Sequence, residues 1–378
     1  MFVLLCTFAV STTLTLLLVR FAKDWWRLSA DHDLSGPQKF HAVPVPRVGG
    51  LGIVPGILVS LALFGPAITP VDVRLAALLL LCAVPAFVAG LVEDLTKSVS
   101  PAHRLLATAV SAALAFGLVG AKLVHTSIPG VDWLVSIPAG SLLLTVFAVA
   151  GIANSVNIID GFNGLASMCV AIMLAALAYV AFQVGDTLVA TLALSGIGAV
   201  LGFFIWNFPG GLIFLGDGGA YFLGFFVAEL SILLLVRNPT VSPIFPLLVC
   251  IYPVFETVFS IYRRRFLRAV PPSMPDGIHL HSLIHRRLIR WAVGNRSAKS
   301  LIRRNSMTSP FLWLLCMLSV VPSVLFWNHT LALSVALAVF AVSYVVLYWR
   351  IVRFKAPRWM RVLVRPTVRL RESDNPRK

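Results

Sequence analysis

One short run brings together Asn154, Asn157, Asp160, Gly161, Asn163 and Gly164 between two apolar stretches. Amide and carboxylate oxygens suit a hard cation or a hydrogen-bonded phosphate ester, and glycine lets backbone come close to a ligand. Where an apolar segment reaches water, such a polar cluster is costly unless it binds something. Asn, Asp and Gly are also ordinary turn residues, so a plain helix-connecting loop fits the run taken alone. Four further clusters bear on the choice. Lys39 and Arg47 flank Pro44 and Pro46 ahead of Gly49 and Gly50, a stiff approach with two phosphate-holding cations. Glu93 and Asp94 are adjacent and followed by Lys97, Pro101 and Arg104. Neighbouring carboxylates repel unless a metal, a cation or a shared proton relieves them, which suits a general base or magnesium; a solvated acidic cap is the simpler reading. Asp217 sits among glycines at a helix start, where Mg²⁺ could take one carboxylate and the helix N–H groups could take phosphate. Asp217 as a plain N-terminal cap is compatible with the same placement. Asp276, His279, His281 and Arg286 could grip a diphosphate; a transition-metal site on the two imidazoles lacks a Cys or second acid nearby.

The elements that must position these groups are membrane helices. Of 378 residues 58% are hydrophobic and 12% charged, with a mean hydropathy of +0.90, whereas a soluble domain carries roughly 25% charged residues. Eleven apolar segments approach the about 20 residues needed to span: 2–19, 48–64, 74–92, 105–118, 138–153, 165–182, 188–206, 220–236, 242–262, 310–326 and 331–348. The expected fold is an all-α polytopic integral membrane protein, with residues 1–350 as one transmembrane domain and 351–378 as a basic tail. With the N-terminus outside, all but three of the 31 Lys and Arg residues (Arg74, Lys122 and Arg237) fall inside, so the positive-inside rule places the C-terminus and all five polar clusters in the cytoplasm. The net charge of +16 is thus a topology signal and an attraction to anionic membrane lipid, not a nucleic-acid footprint. Arg20 and Lys23 follow the first segment and no basic stretch precedes it, which reads as a retained anchor. The five cysteines lie in apolar segments without a C-x-x-C pair and read as small buried hydrophobes. Glu229 and Glu256 are the intramembrane acids; Glu256 is placed to support the site from behind.

In order along the chain, P-x-P-R-x-G-G, an acidic pair with S-P-x-x-R-L, N-x-x-N-x-x-D-G-x-N-G-L-A, N-x-P-x-x-x-x-F-L-G-D-x-G and P-D-x-x-H-L-H resemble the polyprenyl-phosphate N-acetylhexosamine-1-phosphate transferase family. The resemblance covers residues 38–315 and favours the N-acetylhexosamine branch over the muramoyl-pentapeptide branch, because the His-Leu-His loop replaces a run of adjacent histidines. Three positions depart from the family's pattern: Glu93 where the first acid is normally Asp, Asn163 where some members have Asp, and Glu256 where Asp is frequent. The longer Glu93 side chain makes a strict catalytic role fit Asp94 better.

The resemblance implies a bacterial cytoplasmic (inner) membrane enzyme, facing the cytoplasm, that starts a cell-surface polysaccharide. It would transfer GlcNAc-1-phosphate from UDP-GlcNAc to undecaprenyl phosphate and release UMP, with GalNAc, QuiNAc, FucNAc or UDP-MurNAc-pentapeptide as other donors. It implies Mg²⁺, or Mn²⁺ in its place, on Asp217 and Asn157. Catalytic roles fall to Asp94, Glu93 and Asp160, with Asp94 orienting or deprotonating the lipid phosphate. Lys39, Arg47 and Lys97 would hold that phosphate; Asn154, Asn163, Asp276, His279, His281 and Arg286 would bind the donor. A covalent carboxylate intermediate and a homodimer are both compatible with it. A secondary transporter would instead show ionisable groups near the midplane and matched halves; here the acids gather at helix ends and no halves match.

Overall fold

The computed structural model describes residues 1–29, 45–63, 69–267, 277–289 and 298–353. Lys39 and Asp276 lie outside the described residues, as does most of the basic tail. The chain forms α1 (Phe2–Ser29), α2 (Gly50–Leu63), α3 (Pro70–Cys82), α4 (Val84–Thr96), α5 (Pro101–Leu118), α6 (Val131–Ser136), α7 (Pro138–Ile159), α8 (Leu165–Gln183), α9 (Thr187–Asn207), α10 (Gly216–Arg237), α11 (Ile244–Val249), α12 (Ile251–Tyr262), α13 (Leu280–Ile284), α14 (Ala298–Leu325) and α15 (Thr330–Val352). It is an all-α, multi-pass membrane protein. Helix starts follow local chemistry. Pro70, Pro101 and Pro138 occupy first-turn positions, where a missing N–H costs nothing. Thr69, Ser100 and Asp186 accept a first-turn N–H each.

Among the described residues, nine helical stretches are long and apolar enough to cross a membrane, against eleven expected segments. The difference lies in two of them. Among the described residues, the segment at 48–64 yields the fourteen-residue α2. The segment at 242–262 divides at Cys250 into α11 and α12, with Pro253 in the first turn of α12, where a proline starts a helix more readily than it continues one. The stretch Pro70–Thr96 counts as one span although Pro85 divides it into α3 and α4.

Helix α10 is the axis of the bundle. Every residue from Gly216 to Leu234 is buried, with α2, α4, α5, α7, α8 and α9 packed around it. Helix α9 joins α8 and α1, where Ser11 donates to the Ala199 carbonyl at 2.7 Å, a short interhelical bond of the kind that holds membrane helices together when the hydrophobic effect does not discriminate. At the end of α10 away from Asp217, Arg237 reaches Asp186 on one side (2.9 Å) and Asp72 on the other (3.2 Å). Asn238 adds a second donor to Asp186 at 2.9 Å. One guanidinium therefore ties the ends of α3, α9 and α10.

Candidate active site

The site is built at the N-terminus of α10. Residues 46–50 run beside 214–215: Phe214 N–H donates to the Pro46 carbonyl (2.9 Å), Gly49 N–H to the Phe214 carbonyl (3.0 Å) and Gly50 N–H to the Leu215 carbonyl (3.1 Å). This pairing delivers Arg47 to the mouth of α10. Gly216 then turns the chain with φ +76°, in the left-handed region glycine adopts freely. On the other side α4 approaches so closely that a Cβ at Gly90 would lie 2.5 Å from the Gly218 nitrogen. The bare glycine lets Asp94, one turn later, place its carboxylate directly over the helix end. Its two oxygens accept the N–H groups of Asp217 and Gly218, both at 2.9 Å.

The adjacent acids thus have different placements. Asp94 is 1% exposed and caps α10, where its two oxygens take two N–H groups that no carbonyl within the helix can reach. Glu93 is part-exposed and lines the cavity, with Oε2 accepting the Val99 N–H at 2.7 Å. Asp217 faces the same cavity and carries two cations: Arg47 at 3.4 Å from Oδ1, and Arg104, from the first turn of α5, on Oδ2. Arg47 also lies 3.8 Å from Asp94. Arg104 stands in the S-P-x-x-R-L motif, but nothing in its local sequence shows that it meets Asp217 across 113 positions.

Helix α7 runs beyond its expected end, so Asn154 and Asn157 occupy its last turns on one face. Asn154 accepts from the Tyr221 hydroxyl at 3.1 Å, which fixes α7 against α10. Asn157 and Asp160 line the cavity. Protein crowding pushes the Asp160 carboxyl up to about 7, with Arg47 pulling the other way. The following loop is clamped from below. Asn163 donates its backbone N–H to Asn305 on α14 at 2.7 Å, and its side-chain amide to the Pro209 carbonyl and Ser306. Ser309 donates to the Asn163 carbonyl at 2.6 Å, and Gly164 N–H donates to Asn207 at 2.5 Å. Asn163 therefore shapes the cavity floor through contacts within the protein. Asn305, Ser306 and Ser309 have no counterpart in the sequence reading, because they sit at the polar end of an apolar helix with no motif around them.

The wall packed against this loop is the His-Leu-His segment. His279 Nδ1 shares a 3.0 Å hydrogen bond with Glu256, the Leu280 N–H donates to the same oxygen at 3.0 Å, and Tyr344 donates to the other at 2.7 Å. Glu256 thus supports that segment from behind. The rings of His279 and His281 stack at 5.1 Å, and Phe162 meets His281 edge-on at 5.5 Å. Lys97, Asn154 and Arg286 lie outside the cavity wall that the described residues form: Lys97 ends α4 with φ +56°, and Arg286 is in the π-helical turn after α13.

Together Arg47, Glu93, Arg104, Asn157, Asp160, Asp217, His279 and His281 enclose a cavity of about 420 Å³ at one end of the bundle. Arg47 and Arg104 stand on the Asp217 carboxylate, and acids, amides, guanidiniums and imidazoles share the lining. Fold and site thus define a polytopic membrane protein with a polar cavity suited to an anionic ligand. The glycosyl transferase family 4 model matches residues 76–235. A probable undecaprenyl-phosphate N-acetylglucosaminyl 1-phosphate transferase of Bacillus subtilis (strain 168) is 32% identical over 70% of this chain and 71% of its own length. An undecaprenyl-phosphate alpha-N-acetylglucosaminyl 1-phosphate transferase of Thermotoga maritima is 28% identical over 75% of this chain and 81% of its own. A phospho-N-acetylmuramoyl-pentapeptide-transferase of Geobacillus kaustophilus is 31% identical over 50% of this chain and 60% of its own. The chain belongs to glycosyl transferase family 4 and is a transferase.

Proposed function

We propose that the chain transfers an N-acetylhexosamine-1-phosphate, in first place GlcNAc-1-phosphate, from its UDP derivative to undecaprenyl phosphate. The observation that carries this reading is Asp217 at the buried N-terminus of α10, paired with Arg47 and Arg104 and facing a cavity that Asn157, Asp160, His279 and His281 also line. An oxygen of the lipid phosphate attacks the sugar-linked phosphorus, the bond to the UMP oxygen breaks, and UMP leaves. A membrane site is required because one substrate carries a long hydrocarbon tail and the other a soluble nucleotide. The Lys and Arg distribution supports an inner-membrane protein with this cavity on the cytoplasmic side.

The donors fit magnesium. Asp217, Asn157 and Asp160 supply oxygen only, and among the described residues no three His, Cys, Asp or Glu side chains gather as a metal cage. Mg²⁺ takes few protein ligands and fills its remaining positions with water and phosphate. When bound on Asp217 and Asn157 it would neutralise the diphosphate charge. The chain's own groups do the rest by positioning, the main demand of phosphoryl transfer. Arg47 would hold the lipid phosphate, His279 and His281 the nucleotide phosphates, and Asp94 would fix the end of α10 that carries Asp217. Glu93, which faces the cavity, is better placed than Asp94 to orient the attacking phosphate.

The test is a membrane assay with undecaprenyl phosphate, Mg²⁺ and a panel of UDP-N-acetylhexosamines, scoring UMP and lipid-linked sugar. UMP formed only when lipid phosphate and metal are both present is the expected result. Folded protein silent on every donor would overturn the proposal.

A further inference from the structure

We infer that Arg104 is a built-in counter-ion for Asp217 that a divalent cation must displace, so the same carboxylate oxygen is held by the chain before metal binds and by the metal afterwards. This rests on the reading of Asp217 as the metal ligand.

Four observations carry it. Arg104 Nη1 pairs with Asp217 Oδ2, and the two side chains are only 11% and 10% exposed, so water does little to relieve either charge. The other oxygen, Oδ1, faces Arg47. Asp217 has no third oxygen, and a doubly charged ion on Oδ2 would meet the guanidinium at contact distance. Arg104 and the metal are therefore alternatives on that atom. Third, the guanidinium is held at one corner: its Nε is buried without a hydrogen-bond partner, unlike the two-pronged carboxylate grip that makes arginine pairs rigid. Fourth, its carbon lies 5.8 Å from the centre of the Tyr221 ring, one turn further along α10. That aromatic face lies within cation–π range of the guanidinium and does not compete for the carboxylate. Arg104 also lines the cavity, so the displaced guanidinium stays within reach of phosphate oxygens arriving with the metal. Metal alone then binds weakly, and metal with a diphosphate binds well, because the released cation gains a new partner.

The experiment is Mn²⁺ binding alone, followed by electron paramagnetic resonance on the purified full chain in detergent. Arg104→Gln should tighten Mn²⁺ by at least about tenfold, a pair interaction of ordinary size, and Arg104→Lys should stay near wild type. Asp217→Asn should abolish binding. Unchanged or weaker binding in Arg104→Gln, with Asp217→Asn abolishing it, overturns the displacement while leaving Asp217 as ligand. Undiminished binding in Asp217→Asn removes the metal reading on which the displacement rests. A second measurement needs no variant: Mn²⁺ should raise the labelling of Arg104 by p-hydroxyphenylglyoxal, read by mass spectrometry on wild-type protein. Labelling that falls or stays constant would equally overturn the displacement.

Discussion

Replacing Asp94 by Asn separates a cap from a base. Both carboxylate oxygens accept α10 N–H groups at 2.9 Å, in a position 1% exposed. Hydrogen bonds to a charged group contribute about 1.5–3 kcal/mol each. Asparagine offers one acceptor and presents an N–H₂ to the second N–H, so one bond is lost and one donor is buried unsatisfied. The expected loss is about 2–4 kcal/mol of stability. The end of α10 would also shift, and misplacement by about 1 Å can cost roughly 100-fold in rate. Thermal unfolding, Mn²⁺ titration and turnover should therefore all worsen together. Glu93→Gln provides the contrast: a drop in turnover with stability within about 0.5 kcal/mol of wild type, as for a change outside the core. If Asp94→Asn unfolds at the wild-type temperature and binds Mn²⁺ normally yet does not turn over, the capping argument is wrong and Asp94 acts on substrate.

Glu256→Gln should raise the apparent KM for UDP-sugar more than it lowers kcat, because it loosens the His279 loop while leaving Asp217 untouched; an unaltered KM would mean the loop does not touch the donor. With Asp160 held up to about 7, its carboxyl is half protonated near neutrality and becomes an anion above it. Mn²⁺ affinity should therefore climb between about pH 6 and 8 as that proton is given up. Asp160→Asn should flatten the climb, and a slope that survives the substitution would assign it elsewhere. Arg237→Met strands two acids, Asp186 and Asp72, at the far end of the bundle; the expected loss is about 3 kcal/mol, at the low end for a broken buried pair because Arg237 is a third exposed. Calorimetry showing no change would make that tie ornamental.

The parts of the site legible in sequence were those whose chemistry is local. Asn157, Asp160, Asp217, His279 and His281 each stand in a dense polar motif at a helix end, and all of them line one cavity. What local sequence could not show were pairings across the chain. Asp94 reads as the better base of an acidic pair, yet its partners are backbone N–H groups 123 and 124 positions away. Nothing in the residues around it distinguishes it from Glu93, because the difference lies in which way α4 faces as Gly90 packs on α10. Asn305 was hidden for a similar reason: its role depends on where α14 ends against the loop at Asn163. The helices followed hydropathy well where a segment was continuous, and less well at 242–262, where apolar character persists through a break that only prolines mark.

Helix α10 is fastened at both ends, by Asp94 over its first turn and by the two acids on Arg237 at its last. A rod secured this way resists sliding along the membrane normal and turning about its own axis. Asp217 is accordingly a fixed datum at one end of the bundle, and the loop at 160–164, the His-Leu-His wall and the arginines are all set against it.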